Sequence, residues 1–232
     1  MKINQIKIFF TTKADGNLAF HVGDDTDNVI SNHKKLAKKY NYNVDALVHM
    51  KQIHSDIVHT VNKNDNFNNP PTCDALITNK KNIPLMVMVA DCTPIIFHDK
   101  KEGVIAVAHV GRQGAFKNIV KNTIETIKKE FNSKIEDIKA DIGSSIGTCC
   151  YEVGAEIYDE AKELDLEYAI EKKENSYYLN VLKIINSQLK DSGVLQENIT
   201  SSNECNCCLE NKYFSYRANT KTGRFAGVVE LI

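Results

Sequence analysis

The stretch Leu85-Met86-Val87-Met88-Val89-Ala90-Asp91-Cys92-Thr93-Pro94-Ile95-Ile96-Phe97-His98-Asp99-Lys100-Lys101-Glu102-Gly103-Val104-Ile105-Ala106-Val107-Ala108-His109 holds three apolar runs separated by short polar breaks. Leu85 to Val89, Ile95 to His98 and Val104 to His109 are continuous rather than alternating, the pattern of strands buried on both faces. The break Asp99 to Gly103 suits a tight turn and is too short for a crossover helix. Antiparallel pairing is therefore expected here, and an α+β fold rather than a repeated βαβ wind.

Working outward, further strands are expected at Ile6 to Phe10, Ala46 to Met50, Ile57 to Val61, Ala75 to Thr78, Ile138 to Ile142 and Phe225 to Leu231. Phe116, Ile119, Val120, Ile124, Ile127 and Phe131 fall at helical spacing with lysines opposite, which predicts a helix from Phe116 to Phe131. Surface helices are expected at Val29 to Tyr40 with Asp27 as N-cap, at Asn180 to Lys190, and after Gly154. No repeat or Pro/Gly-rich linker divides the chain, since its four prolines are Pro70, Pro71, Pro84 and Pro94, so residues 1–232 are expected to form one domain.

At 232 residues the chain is long enough to bury a core without metal or disulfide staples. A formal net charge of -1 excludes the whole-chain basic field of a general nucleic-acid binder. The longest apolar stretch, Ile83 to Ala90, is far short of the ~20 residues that cross a bilayer. No signal-peptide core follows the charged start, and a cytoplasmic location is expected. Seven cysteines, spread as Cys73, Cys92, Cys149-Cys150 and Cys205-Asn206-Cys207-Cys208, do not make a disulfide framework. Arginine is scarce: Arg112, Arg217 and Arg224 stand among 29 basic residues. Such residual arginines are candidates for planar, bidentate contacts to phosphate or carboxylate.

Polar residues gather where strands end. Lys51-Gln52-Ile53-His54-Ser55, Ala90-Asp91-Cys92-Thr93-Pro94 and Ala108-His109-Val110-Gly111-Arg112-Gln113-Gly114 each close an apolar run. His54, Cys92 and His109 together would give a three-ligand metal site with one open position. Their intervals of 38 and 17 residues are not a local ligand spacing, so convergence does not follow from these residues alone.

The ordered set Gln52-Ile53-His54, Asp74-Ala75-Leu76-Ile77-Thr78, Ala90-Asp91-Cys92-Thr93-Pro94-Ile95, Ala108-His109-Val110-Gly111, Cys150-Tyr151-Glu152-Val153-Gly154, Phe214-Ser215-Tyr216-Arg217 and Thr222-Gly223-Arg224 resembles the YfiH-type laccase-domain family. Its members are also called polyphenol oxidases or zinc-dependent purine nucleoside phosphorylases. The resemblance implies a layered sandwich of mixed β-sheets with helices packed outside, and a metal held by His54, Cys92 and His109. It implies zinc, with copper as the alternative. The implied reaction is phosphorolysis of adenosine, inosine, guanosine or methylthioadenosine, with adenosine deamination in the same pocket, by a monomer or homodimer acting on nucleoside and phosphate. Asp91 is expected to join the catalytic groups, and Asp74, Arg112 and Asn17 the substrate-binding ones. Two motifs depart from the family. Its AHAGWRG reads Ala108-His109-Val110-Gly111-Arg112-Gln113-Gly114 here, which moves the guanidinium by one residue, and its TTRxGGxS loop reads Thr11-Thr12-Lys13-Ala14-Asp15-Gly16.

Three other readings stand beside it: a copper-dependent polyphenol oxidase, a cysteine hydrolase that uses the same residues without metal through Cys92 with His54 or His109, and, of a different class, a non-catalytic accessory factor, since some members of the family are linked to peptidoglycan editing. Cys149-Cys150 is expected to pack, and Cys205 to Cys208 to be structural, because no second ligand pair follows that run. His49, His59 and His98 are expected to be satisfied sheet residues, and His21 to line the mouth of the site.

Overall fold

The computed structural model describes residues 4–232, so the charged start lies outside the described residues. Among the described residues the strands are β1 (Ile6–Phe10), β2 (Val58–Thr60), β3 (Ala75–Thr78), β4 (Leu85–Val89), β5 (Thr93–Asp99), β6 (Val104–Val110), β7 (Lys139–Ile142), β8 (Glu152–Val153), β9 (Ile170–Lys173), β10 (Ser176–Leu179), β11 (Ile199–Ser201) and β12 (Phe225–Leu231). The helices are α1 (Thr26–Tyr40), α2 (Arg112–Phe116), α3 (Ile119–Phe131), α4 (Ala155–Glu163) and α5 (Val181–Asp191). They build the α+β sandwich that the apolar runs predict.

A six-stranded sheet runs β11-β7-β5-β6-β3-β2, and a three-stranded sheet β1-β12-β4. The large sheet is mixed: β2 and β3 are parallel, as are β7 and β11, while its other pairs are antiparallel. Side chains alternate across it. Leu76, Ile96, Ile105 and Val107 meet Leu85, Val87, Val89, Phe225 and Val229 of the small sheet, whereas Ile77, Ile95, Phe97 and Ala106 meet Ile119, Val120, Ile124 and Ile127 of α3, together with Ile184, Ile185 and Leu189 of α5. On its far side the small sheet packs Met86, Met88, Ala226 and Val228 against Leu36 of α1 and Leu18 and Leu47. Covering both faces of β3, β4, β5 and β6 is why these strands read as unbroken apolar runs; each fully buried aliphatic side chain contributes ~1.5–3 kcal/mol.

Register fixes where the site forms. Thr93 lies opposite Val110 and Ala75 opposite Ala108, so the start of β5, the end of β6 and the start of β3 share one end of the large sheet. Cys92, His109 and Asp74 are thereby brought to the same edge.

Several expectations shift. The helix expected from Phe116 to Phe131 is two helices, broken where Asn118 adopts left-handed backbone at φ 63°. Asparagine tolerates that conformation, and in the short helix before it a Cβ at Gly114 would lie 3.3 Å from Ser55 O and 3.4 Å from His109 O. Helix α1 begins earlier than expected, with Asp25 rather than Asp27 accepting the capping bond, from the Asp27 N–H. Ala46 to Met50 is no strand: Val48 makes one bridge, to Leu85. The sheet β8-β10-β9 and strand β11 were not expected, because these short segments, charged in β9 and polar in β11, carry no apolar run.

Candidate metal centre and its cavity

The centre is organised by a carboxylate that touches no solvent. Asp74 precedes β3 and is 0% exposed. Its Oδ1 accepts the Nδ1–H of His109 at 2.8 Å and the backbone N–H of His54 at 3.0 Å. Its Oδ2 accepts from the Ser55 hydroxyl at 2.6 Å and from the backbone N–H groups of Ser55 and Ile53 at 2.7 and 3.3 Å. One side chain thus fixes the His109 ring and folds the Ile53–Ser55 turn, in which His54 holds left-handed backbone at φ 58°. Gln52 anchors the other end of that turn. Its amide donates to Met88 O at 2.8 Å and accepts from Met88 N at 3.0 Å, standing in for a neighbouring strand along β4.

His54, Cys92 and His109 converge, with their potential ligand atoms all within 4.8 Å of one another. Cys92 Sγ lies 3.8 Å from His54 Nε2, and the two imidazole rings meet edge-on with centroids 4.8 Å apart. Gly111 makes room for this approach, since a Cβ there would sit 2.8 Å from Cys92 Sγ and 3.1 Å from His54 Cδ2. The Asp74 contact commits His109 Nδ1 and leaves Nε2 for a ligand role, the usual arrangement behind a metal-binding histidine. Two imidazoles and a thiolate facing a cavity are a donor set that suits zinc or copper and keeps a position open.

Electrostatics reinforce this geometry. Burial opposes ionisation of Cys92, but the charge of His109 and hydrogen bonds from both histidines outweigh it and pull the thiol down to about 6. Burial likewise opposes protonation of His109, and the Cys92 thiolate and Asp74 raise it to about 9. Asp74, though buried, is held at about 2 by His109 and Ser55. The site favours the ionised sulfur, the form that binds metals.

The cavity above these donors encloses about 400 Å³. Arg112, Arg217 and Arg224, the chain's full complement of arginine, all line it, and His21 lies at its wall. Tyr151 and Tyr216 add aromatic faces, with Arg217 5.3 Å from the centre of the Tyr151 ring and Arg224 5.9 Å from that of Tyr216. Gln52, Tyr151, Tyr216, Arg217 and Arg224 were not singled out as site residues from the sequence. The scarcity of arginine was the signal that pointed to two of them.

The remaining candidate residues fall into different positions. Asp91 lines the cavity at a left-handed φ of 91°, but its carboxylate accepts the Ser215 hydroxyl and the Arg217 N–H, each at 2.6 Å. It clamps the segment that carries Tyr216 and Arg217. Asp74 does not reach the cavity, which corrects its expected substrate contact: it orients His109 instead. Asn17 is also buried away from the cavity. Its amide donates to Ala19 O and Asp24 and accepts from the Ala19 and Arg224 N–H groups, so it positions Arg224 rather than meeting a ligand. Arg112 lines the cavity while pairing with Glu160 of α4 and stacking over Phe116. Helix α2 is one short turn, so Arg112 meets the cavity through its guanidinium.

The family profile described as multi-copper polyphenol oxidoreductase laccase matches residues 10–232. A purine nucleoside phosphorylase of Clostridium acetobutylicum is 35% identical over 222 residues, 95% of this chain and 89% of that protein. A purine nucleoside phosphorylase of Corynebacterium glutamicum is 37% identical over 134 residues, covering 53% of this chain and 54% of that protein, so this match spans about half of each. The crystal structure of the Bacillus licheniformis hypothetical protein YfiH superposes with a TM-score of 0.93 at 29% identity, covering 98% of this chain and 93% of that one. YlmD from Geobacillus stearothermophilus gives a TM-score of 0.84 at 26% identity, covering 98% and 91%.

Proposed function

The chain belongs to the multi-copper polyphenol oxidoreductase laccase family, and from that premise we propose that it is a zinc-dependent purine nucleoside phosphorylase. Its substrates are adenosine, inosine, guanosine or methylthioadenosine with inorganic phosphate, and the same pocket deaminates adenosine. One juxtaposition carries this reading: His54, Cys92 and His109 meet at a cavity that also gathers all three arginines.

Zinc, when bound, supplies a Lewis acid and an open coordination position for phosphate or water. The chain's own residues do the rest. Asp74 holds the Nδ1–H of His109, so the ring keeps one tautomer and one orientation. Arg112, Arg217 and Arg224 compensate the charge of phosphate, and the Asp91 clamp on Ser215 and Arg217 keeps that wall in place. Tyr151 and Tyr216 offer faces to the purine, while Met88, Val89 and Val181 limit water. A phosphate oxygen bonds to C1′ as the bond from C1′ to the purine nitrogen breaks. The base leaves with that electron pair and takes up the proton that phosphate releases.

The family's description favours copper as a second reading, since a cysteine and two histidines also suit that ion. Four-electron reduction of oxygen uses several coppers, however, and among the described residues no other histidines gather with further donors into a cluster that could hold one. The donor set at the cavity holds one ion. Metal analysis of the purified protein, alongside base release from adenosine and inosine with and without phosphate, tests the proposal. Phosphate-dependent release that a chelator abolishes supports it. Chelator-resistant turnover points to a Cys92 hydrolase, and the absence of turnover in zinc-loaded protein to a non-catalytic role.

A further inference from the structure

Cys149 and Cys150 leave the turn after Gly147, and Cys205 and Cys208 belong to a turn more than fifty residues later; the two are held side by side by the Ser145–Cys205 bridge and by Asn206 N–H donating to Ser145 O at 3.2 Å. The sulfurs of these four residues all lie within 4.8 Å of one another. The ligand pair that was expected to be missing from the Cys205 run is therefore supplied from upstream. We propose that Cys149, Cys150, Cys205 and Cys208 form a second metal site, a four-thiolate zinc site separate from the His54–Cys92–His109 centre.

The spacing fits. With zinc–sulfur bonds of about 2.3 Å, a tetrahedral arrangement puts neighbouring sulfurs ~3.8 Å apart. Cys208 Sγ lies 3.3 Å from Cys149 Sγ and 3.4 Å from Cys150 Sγ. Near-equal distances argue against a disulfide, since joining Cys208 to either neighbour leaves the other without its partner. Cys205 and Cys208 are spaced as a C-x-x-C half-site, and the Gly147 N–H donates to Cys205 Sγ at 3.2 Å, the type of contact that stabilises a thiolate ligand.

Four crowded sulfurs cannot all ionise without a cation among them. A divalent ion removes that conflict by displacing the thiol protons to solvent, and the four thiolates with one Zn²⁺ then carry a net double negative charge. Arg217 lies nearby, donating to Cys150 O at 3.4 Å and Glu152 O at 2.9 Å.

The site has a structural consequence for the cavity. The turn bearing Cys149 and Cys150 runs between Ile146 and Tyr151, and the segment after Cys208 leads to Tyr216 and Arg217, all four of which line the cavity. A metal at the four cysteines would pin both segments of that wall without touching the His54 centre.

The test is a metal count on the whole chain, reduced, loaded with zinc and freed of excess ion. About two zinc ions per chain are expected for the wild type, and about one each for Cys92→Ala and for the double variant Cys149→Ser/Cys208→Ser. Cobalt loaded into Cys92→Ala should give the intense visible bands of a tetrahedral thiolate complex, and the same bands should vanish when Cys149→Ser/Cys208→Ser is added. If that variant does not fold, the wild-type count and the cobalt spectrum of Cys92→Ala still decide. One ion in the wild type and no cobalt thiolate bands in Cys92→Ala would overturn the proposal, as would disulfides, seen as a mass lower by two hydrogens per bond. The count is independent of nucleoside chemistry, so its failure and a failure of the phosphorylase reading are separable.

Discussion

Asp74 and His109 are joined twice: the carboxylate takes the ring Nδ1–H at 2.8 Å, and the Asp74 carbonyl takes the His109 backbone N–H, also at 2.8 Å. The second contact belongs to the β3–β6 pairing and the first to the site, so strand register and ring orientation are set by one residue. Asp74→Asn keeps the shape but turns an NH₂ toward N–H donors. We expect a loss of ~2–4 kcal/mol in urea unfolding and 10–100-fold weaker zinc binding. Unchanged zinc affinity would remove Asp74 from the centre.

Gly111→Ala separates sterics from chemistry. The backbone at Gly111, φ -84° and ψ -178°, is open to any residue, and the penalty is the Cβ placed 2.8 Å from Cys92 Sγ and 3.1 Å from His54 Cδ2. Zinc affinity should fall at least tenfold, while unfolding free energy falls by ~1–3 kcal/mol. Calorimetric zinc titration measures the first, and a wild-type affinity would show that Cys92 moves without cost.

Much of the fold was legible because β4 is apolar from end to end and β3, β5 and β6 carry apolar runs buried on both faces, which leaves few polar residues to blur them. Strands such as Ile170–Lys173 escaped notice because they are held by contacts invisible in periodicity, including the Tyr158–Tyr177 stack at 4.7 Å with Lys172 over it. The donor trio was nominated from strand ends, but its convergence depended on the register of β5 against β6, which no residue type encodes. The buried roles of Asp74 and Asn17 were missed for a related reason: a carboxylate or amide in a motif reads the same whether it faces a ligand or a backbone. The four-cysteine cluster was missed because its halves lie far apart in sequence.

Acid should weaken the fold through His33. Burial is the main reason its imidazole is held down at about 4, against the contrary pull of the Leu18 carbonyl, with His49 adding to the depression. The neutral ring is favoured in the folded state, so its contribution is complete above the unfolded value of 6.5 and is lost as pH falls from there toward 4. By pH 5 the loss amounts to about 2 kcal/mol. Urea midpoints at pH 7 and pH 5 should separate by less in His33→Gln than in the wild type, and an equal separation would assign the slope to other groups.

Arg112 faces the cavity while paired with Glu160. Arg112→Met should raise the phosphate KM about 5- to 10-fold with little change in the nucleoside KM, the signature of a lost anion contact. Phosphate dependence identical to wild type would leave Arg112 only its link to α4.

The central claim is that the His54–Cys92–His109 centre serves both reactions, and initial rates of Cys92→Ala against wild type after zinc loading test it most directly. Purine release from inosine in the presence of phosphate and ammonia release from adenosine are measured in the same preparations. The account predicts that wild-type protein carries out both and that Cys92→Ala, still folded by its unfolding profile, loses both by at least 100-fold, consistent with the removal of one of three metal donors. Either reaction continuing at near wild-type rate in Cys92→Ala would contradict it.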